Sequence, residues 1–209
     1  VYPLAPELGA ILREIDAGNA VLVMQNLAFD WYPQWHYAVV VGYDLNTRDL
    51  ILHSGLNARQ RESFALFLRT WQRANSWAVV AVPADRIPAT AEPLPYLKAA
   101  ADLEQVGQTT SAEAAYRQAS ERWSDQPAPL LGLGNIAWSS GRHSEALEHF
   151  SELVRRFPDY QAGWNNLATG MEELGCTEAA EQVRACAANH SQNGIHVGAD
   201  AACTIPVCR

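Results

Sequence analysis

One histidine stands at the start of an apolar, β-branched stretch of the sequence. In WHYAVVVGYD (35–44), His36 precedes a run that favours a β-strand. An imidazole exchanges a proton near neutral pH, so His36 could act as a general base. The alternative is a structural histidine at a sheet edge whose nitrogens bond to the backbone. His53 allows the same two interpretations and has no motif in its favour.

Four cysteines form a second group able to do chemistry. Cys176, Cys186, Cys203 and Cys208 all lie near the C-terminal end of the sequence and are even in number, which favours two disulfides. A zinc site is the competing interpretation, but the sequence has no CxxC pair. The sequence therefore predicts neither a metal site nor a cofactor. It also predicts an extracytoplasmic location, periplasmic or secreted.

The lengths of helical and extended chain predict how these cysteines pair. Cys176 and Cys186 would lie roughly 15 Å apart along one helix, whereas bridged Cα atoms lie within about 7 Å of each other. An extended segment from Cys203 to Cys208 covers roughly 16 Å. A tail that turns at residues 193–194 and runs back along the helix predicts the pairs Cys186–Cys203 and Cys176–Cys208.

The acidic balance of the chain excludes one class of partner. The net charge is −8, the pI is about 5.2, and no segment is rich in Lys or Arg, so we expect no nucleic-acid partner. Apolar runs such as residues 20–24 are far shorter than the ~20 residues of a membrane-spanning helix, so no transmembrane segment is expected. Because the chain begins at Val1 without a signal-peptide pattern, we expect a processed or truncated form whose missing N-terminus could carry a membrane anchor.

Residues 1–83 carry helix and strand signals that predict an α+β domain. A helical period over residues 6–17 precedes VLVMQNL, and the strands HYAVVVGYD and LILHSG are joined by the polar turn LNTRD as in a hairpin. A helix over residues 64–74 and a buried strand WAVVAVP follow, so we expect an antiparallel sheet. Residues 84–95 are rich in proline and lack apolar periodicity, which predicts a linker.

A 34-residue period follows the proline-rich segment. Gly107, Gly141 and Gly175 are spaced by 34 residues, and small and large apolar residues recur at the same offset. This pattern resembles the tetratricopeptide repeat family over residues 96–192, which leaves a tail over residues 193–209. The resemblance implies three helical hairpins that stack into an all-α superhelix with a concave, peptide-binding face.

The first helix of each predicted hairpin would line this concave face. Polar and aromatic side chains suited to a peptide backbone are expected there, namely Asn135, Trp138, Asn165, Thr169 and Glu172. The alternative is that they form only the solvated surface of a spacer. The family's clamp for a C-terminal carboxylate also needs basic residues, and Leu131 occupies one such position.

The first half of the chain has a second resemblance. The order ELGAILREIDAGNAVLVMQ, WHYAVVVGYD, LILHSG and FLRTW with a last strand is similar to the C-terminal half of papain-like cysteine peptidases that remove leader peptides in bacteriocin exporters. The resemblance implies that His36 is the general base. It also implies that Ser54, at the position of the family's orienting acid or amide, holds the imidazole. The aromatic segment with Trp35 and Tyr37 is expected to form one wall of a peptide groove.

Two functions compete on this basis. The family's cysteine nucleophile would lie in an N-terminal half that is missing here, and a thiolate–imidazole pair needs both groups within hydrogen-bond reach. We therefore expect this chain alone to be inactive, as a fragment of an exported cysteine peptidase whose repeats recruit substrate. The alternative is a peptidase-like scaffold without chemistry whose repeats bind proteins. The expected partners are a peptide or protein on the repeat face and the missing half of the same domain.

Overall fold

The computed structural model of the protein describes residues 1–192 and 203–208. It shows an antiparallel sheet with two helices, followed by further helices, and is therefore of the α+β class. The chain divides into two compact units, Val1–Ala99 and Ala100–Arg209. In chain order the elements are β1 (Tyr2–Pro3), α1 (Leu8–Asp16), β2 (Val21–Asn26), β3 (Trp35–Asp44), β4 (Asp49–Ser54), β5 (Asn57–Ser63), α2 (Phe64–Gln72), β6 (Ala78–Val80), α3 (Pro93–Gln105), α4 (Thr109–Arg122), α5 (Ala128–Ser139), α6 (His143–Arg156), α7 (Gln161–Glu173) and α8 (Thr177–Gln192).

The first unit is built on a six-stranded antiparallel sheet with the order β1-β6-β2-β3-β4-β5. The predicted hairpin is formed by β3 and β4, and a register shift between Val40 and Gly42 bends β3. Two strands were not predicted. β1 is too short to show a period, and β5 (NARQRES) is polar and mostly exposed, so it lacks the apolar alternation of a half-buried strand.

Alternate side chains of the central strands form the core of this unit, because successive residues of a strand point to opposite faces. The buried residues include Val21 and Val23 of β2, Ala38 and Val40 of β3, Leu50 and Leu52 of β4, Ala10 and Ile11 of α1, and Phe67 and Trp71 of α2. α2 begins directly after β5 because the Ser63 side chain caps it, accepting a hydrogen bond from the Leu66 amide at 3.4 Å.

The proline-rich segment predicted as a linker is docked within the first unit. The carboxylate of Glu14, which is fully buried in α1, accepts hydrogen bonds from the Thr90 amide at 2.7 Å, the Thr90 hydroxyl at 2.6 Å and the Ala89 amide at 3.3 Å. Asn19 donates to the same carboxylate at 2.7 Å and in turn accepts from Arg86 at 3.1 Å. A buried carboxylate needs such donors, and here the segment supplies them.

Three helices of the chain end in the same backbone conformation, each at a glycine. Gly107, Gly141 and Gly175 follow α3, α5 and α7 with φ of +77°, +75° and +82°, a region that glycine enters at little cost. After Gly141 the Arg142 amide bonds to the Ala137 carbonyl at 2.9 Å, and the Gly141 amide bonds to Trp138 at 3.0 Å. These are the two bonds of a Schellman C-terminal motif. The 34-residue glycine spacing therefore has a backbone cause.

Small residues of α5 let aromatic rings lie against its backbone. A Cβ on Gly132 would be 2.5 Å from the Tyr116 ring of α4, and a Cβ on Gly134 would be 2.3 Å from the Phe150 ring of α6. Both rings are buried. Larger residues at these positions would force α5 away from its neighbours, which explains the recurrence of small residues at the helix contacts.

Two disulfides attach the described part of the tail to α8 and the turn before it. Cys176 is bonded to Cys208 with their Cα atoms 5.6 Å apart, and Cys186 is bonded to Cys203 with theirs 5.9 Å apart. The tail therefore runs antiparallel to α8, with the pairing that chain lengths predict. The turn expected at residues 193–194 lies outside the described residues.

Candidate functional site

The structure brings His36 and Ser54 together. His36 is the second residue of β3 and Ser54 is the last residue of β4, whose pairing places Ser54 opposite Ala38. The imidazole Nε2 lies 2.8 Å from the Ser54 hydroxyl oxygen, within hydrogen-bond distance. The half-buried imidazole is thus held through one ring nitrogen.

A polar network lies on the strand next to His36. Gln25, which pairs with His36 across β2 and β3, is buried and donates its amide to the Thr70 hydroxyl at 2.7 Å. The same amide lies 3.2 Å from a carboxylate oxygen of Glu62 on β5. The Thr70 hydroxyl also contacts the Phe67 carbonyl at 2.9 Å. Glu62 was not predicted because β5 was not, and Thr70, within the predicted helix, had no role assigned to it.

Burial raises the pKa of Glu62 above its ordinary value. The hydrogen bond from Gln25 opposes this rise in pKa, as does the nearby charge of His36. Glu62 is therefore a half-buried carboxyl group close enough to His36 for the two charges to interact.

This arrangement can orient an imidazole and exchange a proton, but it holds no thiolate. All four cysteines of the chain are in disulfides, and none is free in the part that the structure describes. Nucleophilic catalysis by a cysteine needs a deprotonated sulfur beside the base. The catalytic roles of His36 and Ser54 remain predictions.

The two aromatic residues expected beside the base flank His36 in β3. Tyr37 follows His36 in β3 and so points to the opposite face of the sheet, where its ring packs edge-on against Trp77 at 5.8 Å. Trp35 lies at the end of β3 and lines a different cavity with Arg69 and Arg73 of α2. A groove wall formed by Trp35 and Tyr37 beside His36 stays a prediction.

A second candidate site lies on α5 and α7 of the repeat unit. A cavity of about 340 Å³ brings together three of the residues predicted for the concave face, Asn135, Trp138 and Thr169. Its other lining residues are Phe150, Asn166, Gly170 and Glu173. Gly170 allows the Trp138 ring to lie close, since a Cβ there would be 2.9 Å from it.

Two residues predicted for this face do not line the cavity. These two residues are Asn165 and Glu172. In each case the following residue of α7, Asn166 or Glu173, lines the cavity. Asn165 is exposed, and Glu172 forms an ion pair with Arg184 of α8. One residue along a helix turns a side chain by about 100°, so Asn165 and Glu172 face a different part of the α7 surface from the cavity, and their role in peptide binding stays a prediction.

The cavity contains a hydrogen bond between two helices. Asn166 of α7 donates its amide to the side-chain oxygen of Asn135 of α5 at 2.9 Å. Each asparagine retains one further polar atom, the Nδ2 of Asn135 and the Oδ1 of Asn166, without another partner among the residues that the structure describes. The site therefore offers a donor and an acceptor side by side.

Neither a metal site nor a membrane-spanning helix is found within residues 1–192 and 203–208. No group of three or more His, Cys, Asp or Glu side chains there is placed to hold a metal ion. Over the same residues, none of the helices has the length and apolar character that crossing a bilayer requires.

Two comparisons with known proteins give matches. A crystal structure of MamA protein is similar with 14% identity and a TM-score of 0.45, and the match covers 51% of this chain and 61% of that one. A search of curated proteins gives no match. The family model for the tetratricopeptide repeat matches residues 97–161. The repeat prediction is therefore supported over residues 97–161, the part of the chain that matches this family.

Proposed function

We propose that the repeat unit is a protein-interaction module that binds an extended peptide in the cavity between α5 and α7. The observation that carries this proposal is the hydrogen bond from Asn166 to Asn135. It fixes two amide groups in one orientation before any ligand arrives, so less conformational entropy is lost on binding.

The atoms left over by this pair suit a peptide bond. Each peptide unit carries one N–H donor and one C=O acceptor. The Nδ2 of Asn135 can donate to a ligand carbonyl, and the Oδ1 of Asn166 can accept from a ligand amide. The half-buried Trp138 ring offers an apolar wall for a neighbouring side chain.

The charge of the cavity selects among peptides. Glu173 is its one ionisable lining residue, and none of the described lining residues is basic. A carboxylate ligand would meet a like charge there, whereas a neutral or basic segment would not. We therefore propose a neutral or basic peptide rather than an acidic one.

The test compares neighbouring asparagines of α7. Peptides selected from a random displayed library against the whole chain are titrated against Asn135→Ala, Asn166→Ala and the control Asn165→Ala. Each cavity variant should weaken binding roughly fivefold, because one hydrogen bond contributes about 1 kcal/mol. Asn165→Ala should bind as the wild type does. Equal loss in all three variants, or loss in Asn165→Ala alone, would show that the ligand lies elsewhere.

We also propose, as a second function, that the first unit is one half of a papain-like cysteine peptidase domain that supplies the base and its orienting groups. The 2.8 Å contact between His36 and Ser54, with Glu62 nearby, supports this proposal. The 209-residue chain should not cleave peptides, because it has no free thiol among its described residues.

A test of this second function uses two histidines on adjacent strands. In a gene product that also contains a nucleophilic cysteine upstream, His36→Ala should reduce peptide turnover by several orders of magnitude, since base and nucleophile act as a unit. His53→Ala, which alters an exposed residue of β4, is the matched control. Equal activity of the two variants would contradict the catalytic proposal and indicate that His36 is a structural residue.

We further propose an extracytoplasmic location. The two disulfides together use all four cysteines of the chain, and such bonds persist in oxidising compartments. Cell fractionation, with thiol labelling of the protein in each fraction, tests this directly.

A further inference from the structure

The first unit contains a cavity that neither proposed function uses. It measures about 660 Å³ and lies where β2 and β3 meet the C-terminal end of α2. Trp35, Asp30 and Asn26 line one side, and Arg69, Gln72, Arg73 and Asn75 line the other. The cavity thus combines two guanidinium groups with one exposed aromatic ring.

The two arginines lie one helical turn apart and have no anionic partner. Within residues 1–192 and 203–208, neither Arg69 nor Arg73 forms an ion pair or a side-chain hydrogen bond. The Nε atom of Arg73 is buried and has no acceptor. A buried donor without an acceptor is costly, and most such groups in proteins are satisfied. Since solvent does not reach this atom, a ligand would contact the two Nη groups of Arg73 instead.

The opposite wall is held in place by Asn26. This buried side chain accepts hydrogen bonds from the amides of Ala28 and Gln34, both at 3.0 Å, and its amide contacts the Phe29 carbonyl at 3.3 Å. The loop that carries Asp30 and leads to Trp35 is therefore fixed. The Trp35 side chain is nevertheless 55% exposed, so its ring is available to a ligand.

We propose that this cavity binds a peptide carboxylate that has an apolar group beside it. The two Nη groups of a planar guanidinium form a fork that matches a carboxylate, and those of Arg73 have no hydrogen-bond partner among the described residues. Arg69 adds a second positive charge, and Trp35 contacts the apolar group. Asp30 leaves the cavity with one net positive charge, which suits a monoanion better than a doubly charged phosphate. The carboxylate belongs either to a chain terminus or to an Asp or Glu side chain.

Small probes test this proposal on the whole chain. N-acetyl-phenylalanine carries the terminal carboxylate, its carboxamide lacks it, and N-acetyl-aspartate N-methylamide carries the side-chain form. Binding is followed by ¹H–¹⁵N NMR through the arginine Nε–H signals, of which that of Arg73 is identified by its loss in Arg73→Lys. The free carboxylate should shift the Arg73 signal saturably, and the carboxamide should bind at least tenfold more weakly, because a charge-assisted pair is lost. The acid that binds more tightly shows whether the natural carboxylate is a chain terminus or an Asp or Glu side chain.

Variants separate a built site from a general positive surface. Arg69→Ala, at an exposed position that folding does not depend on, should weaken N-acetyl-phenylalanine at least tenfold, and Trp35→Ala should weaken it severalfold. The control Arg13→Lys, on α1 and paired with Glu7, should have no effect. Equal binding of the acid and its carboxamide, an unchanged affinity in Arg69→Ala, or displacement of the acid by an equal concentration of inorganic phosphate would each overturn the proposal.

Discussion

The ring of Phe150 lies so close to Gly134 that a Cβ on this glycine would be 2.3 Å from a ring carbon. The ring is buried, so it cannot swing into solvent. We expect Gly134→Ala to lower the free energy of unfolding of the repeat unit by about 1–3 kcal/mol, as overpacking of a core does. Urea denaturation measures this change.

Ser139→Ala on the same helix is the matched control for this substitution. Ser139 is exposed at the end of α5, so its replacement should change the unfolding free energy by no more than about 0.5 kcal/mol. A Gly134→Ala variant as stable as this control would mean that α5 and α6 can separate without cost.

An ion pair between α4 and α6 predicts how stability depends on pH. Arg142 donates to both carboxylate oxygens of Glu113, at 2.8 and 3.3 Å, and holds the pKa of Glu113 below its ordinary value of 4.5. A carboxyl group with a lowered folded pKa stabilises the fold above its unfolded pKa, and this contribution is lost as the pH falls through the folded pKa.

We therefore expect Glu113→Gln to be less stable than the wild type at pH 7, by about 1 kcal/mol for a partly exposed pair. The difference should shrink as the pH falls below about 4.5. Glu148→Gln removes a carboxylate of α6 that has no ion pair among the described residues, and it serves as the control. A difference that does not change with pH would exclude the ionised pair as its cause.

Glu62 predicts the opposite dependence. Because burial raises its pKa, ionisation of Glu62 is disfavoured in the folded state, and this cost arises as the pH rises through its unfolded and then its folded pKa. Glu62→Gln should therefore be more stable than the wild type at pH 7 and similar to it below about pH 4. Thermal unfolding at both pH values measures this. Lower stability of Glu62→Gln at pH 7 would show that the Gln25 contact outweighs the burial.

The two disulfides predict a redox-dependent stability of the repeat unit. They close loops with sequence separations of 32 and 17 residues. The chain-entropy model assigns about 3–4 kcal/mol to loops of such lengths, and since the loops are nested the two contributions should not add fully. A reducing agent should lower the urea midpoint of the wild type and leave a variant with all four cysteines changed to serine unaffected. Four free thiols in protein from an oxidising compartment would contradict the pairing.

The repeat and the hairpin could be predicted from sequence because their causes are local. Gly141 needs a positive φ, and HYAVVVGYD is rich in the β-branched and aromatic residues that favour strands, so both leave a visible pattern. The polar strand β5 leaves none, because its partner β4 and not its own side chains holds it in the sheet. Edge strands of this kind depend on tertiary contacts that the sequence does not display.

The candidate sites were predicted only in part for related reasons. The contact of His36 with Ser54 follows from the pairing of two strands that were both predicted. Asn166 was not predicted to line the cavity, because the rotation of a helix depends on where it begins, and the N-cap residue Tyr160 of α7 makes no side-chain cap that would mark the position. Arg69 and Arg73 share a cavity with Trp35 through long-range packing alone.

The bonds to Glu14 bear on how the two units could be produced separately. A chain cut inside residues 84–92, where the prolines suggest a natural boundary, would remove Thr90 and Ala89 from the first unit and leave a fully buried carboxylate with fewer donors. Proteases should likewise find this segment a poor substrate, because its backbone amides are already engaged. A shortened first unit should therefore extend beyond Thr90, so that the segment stays with the helix to which it is bound.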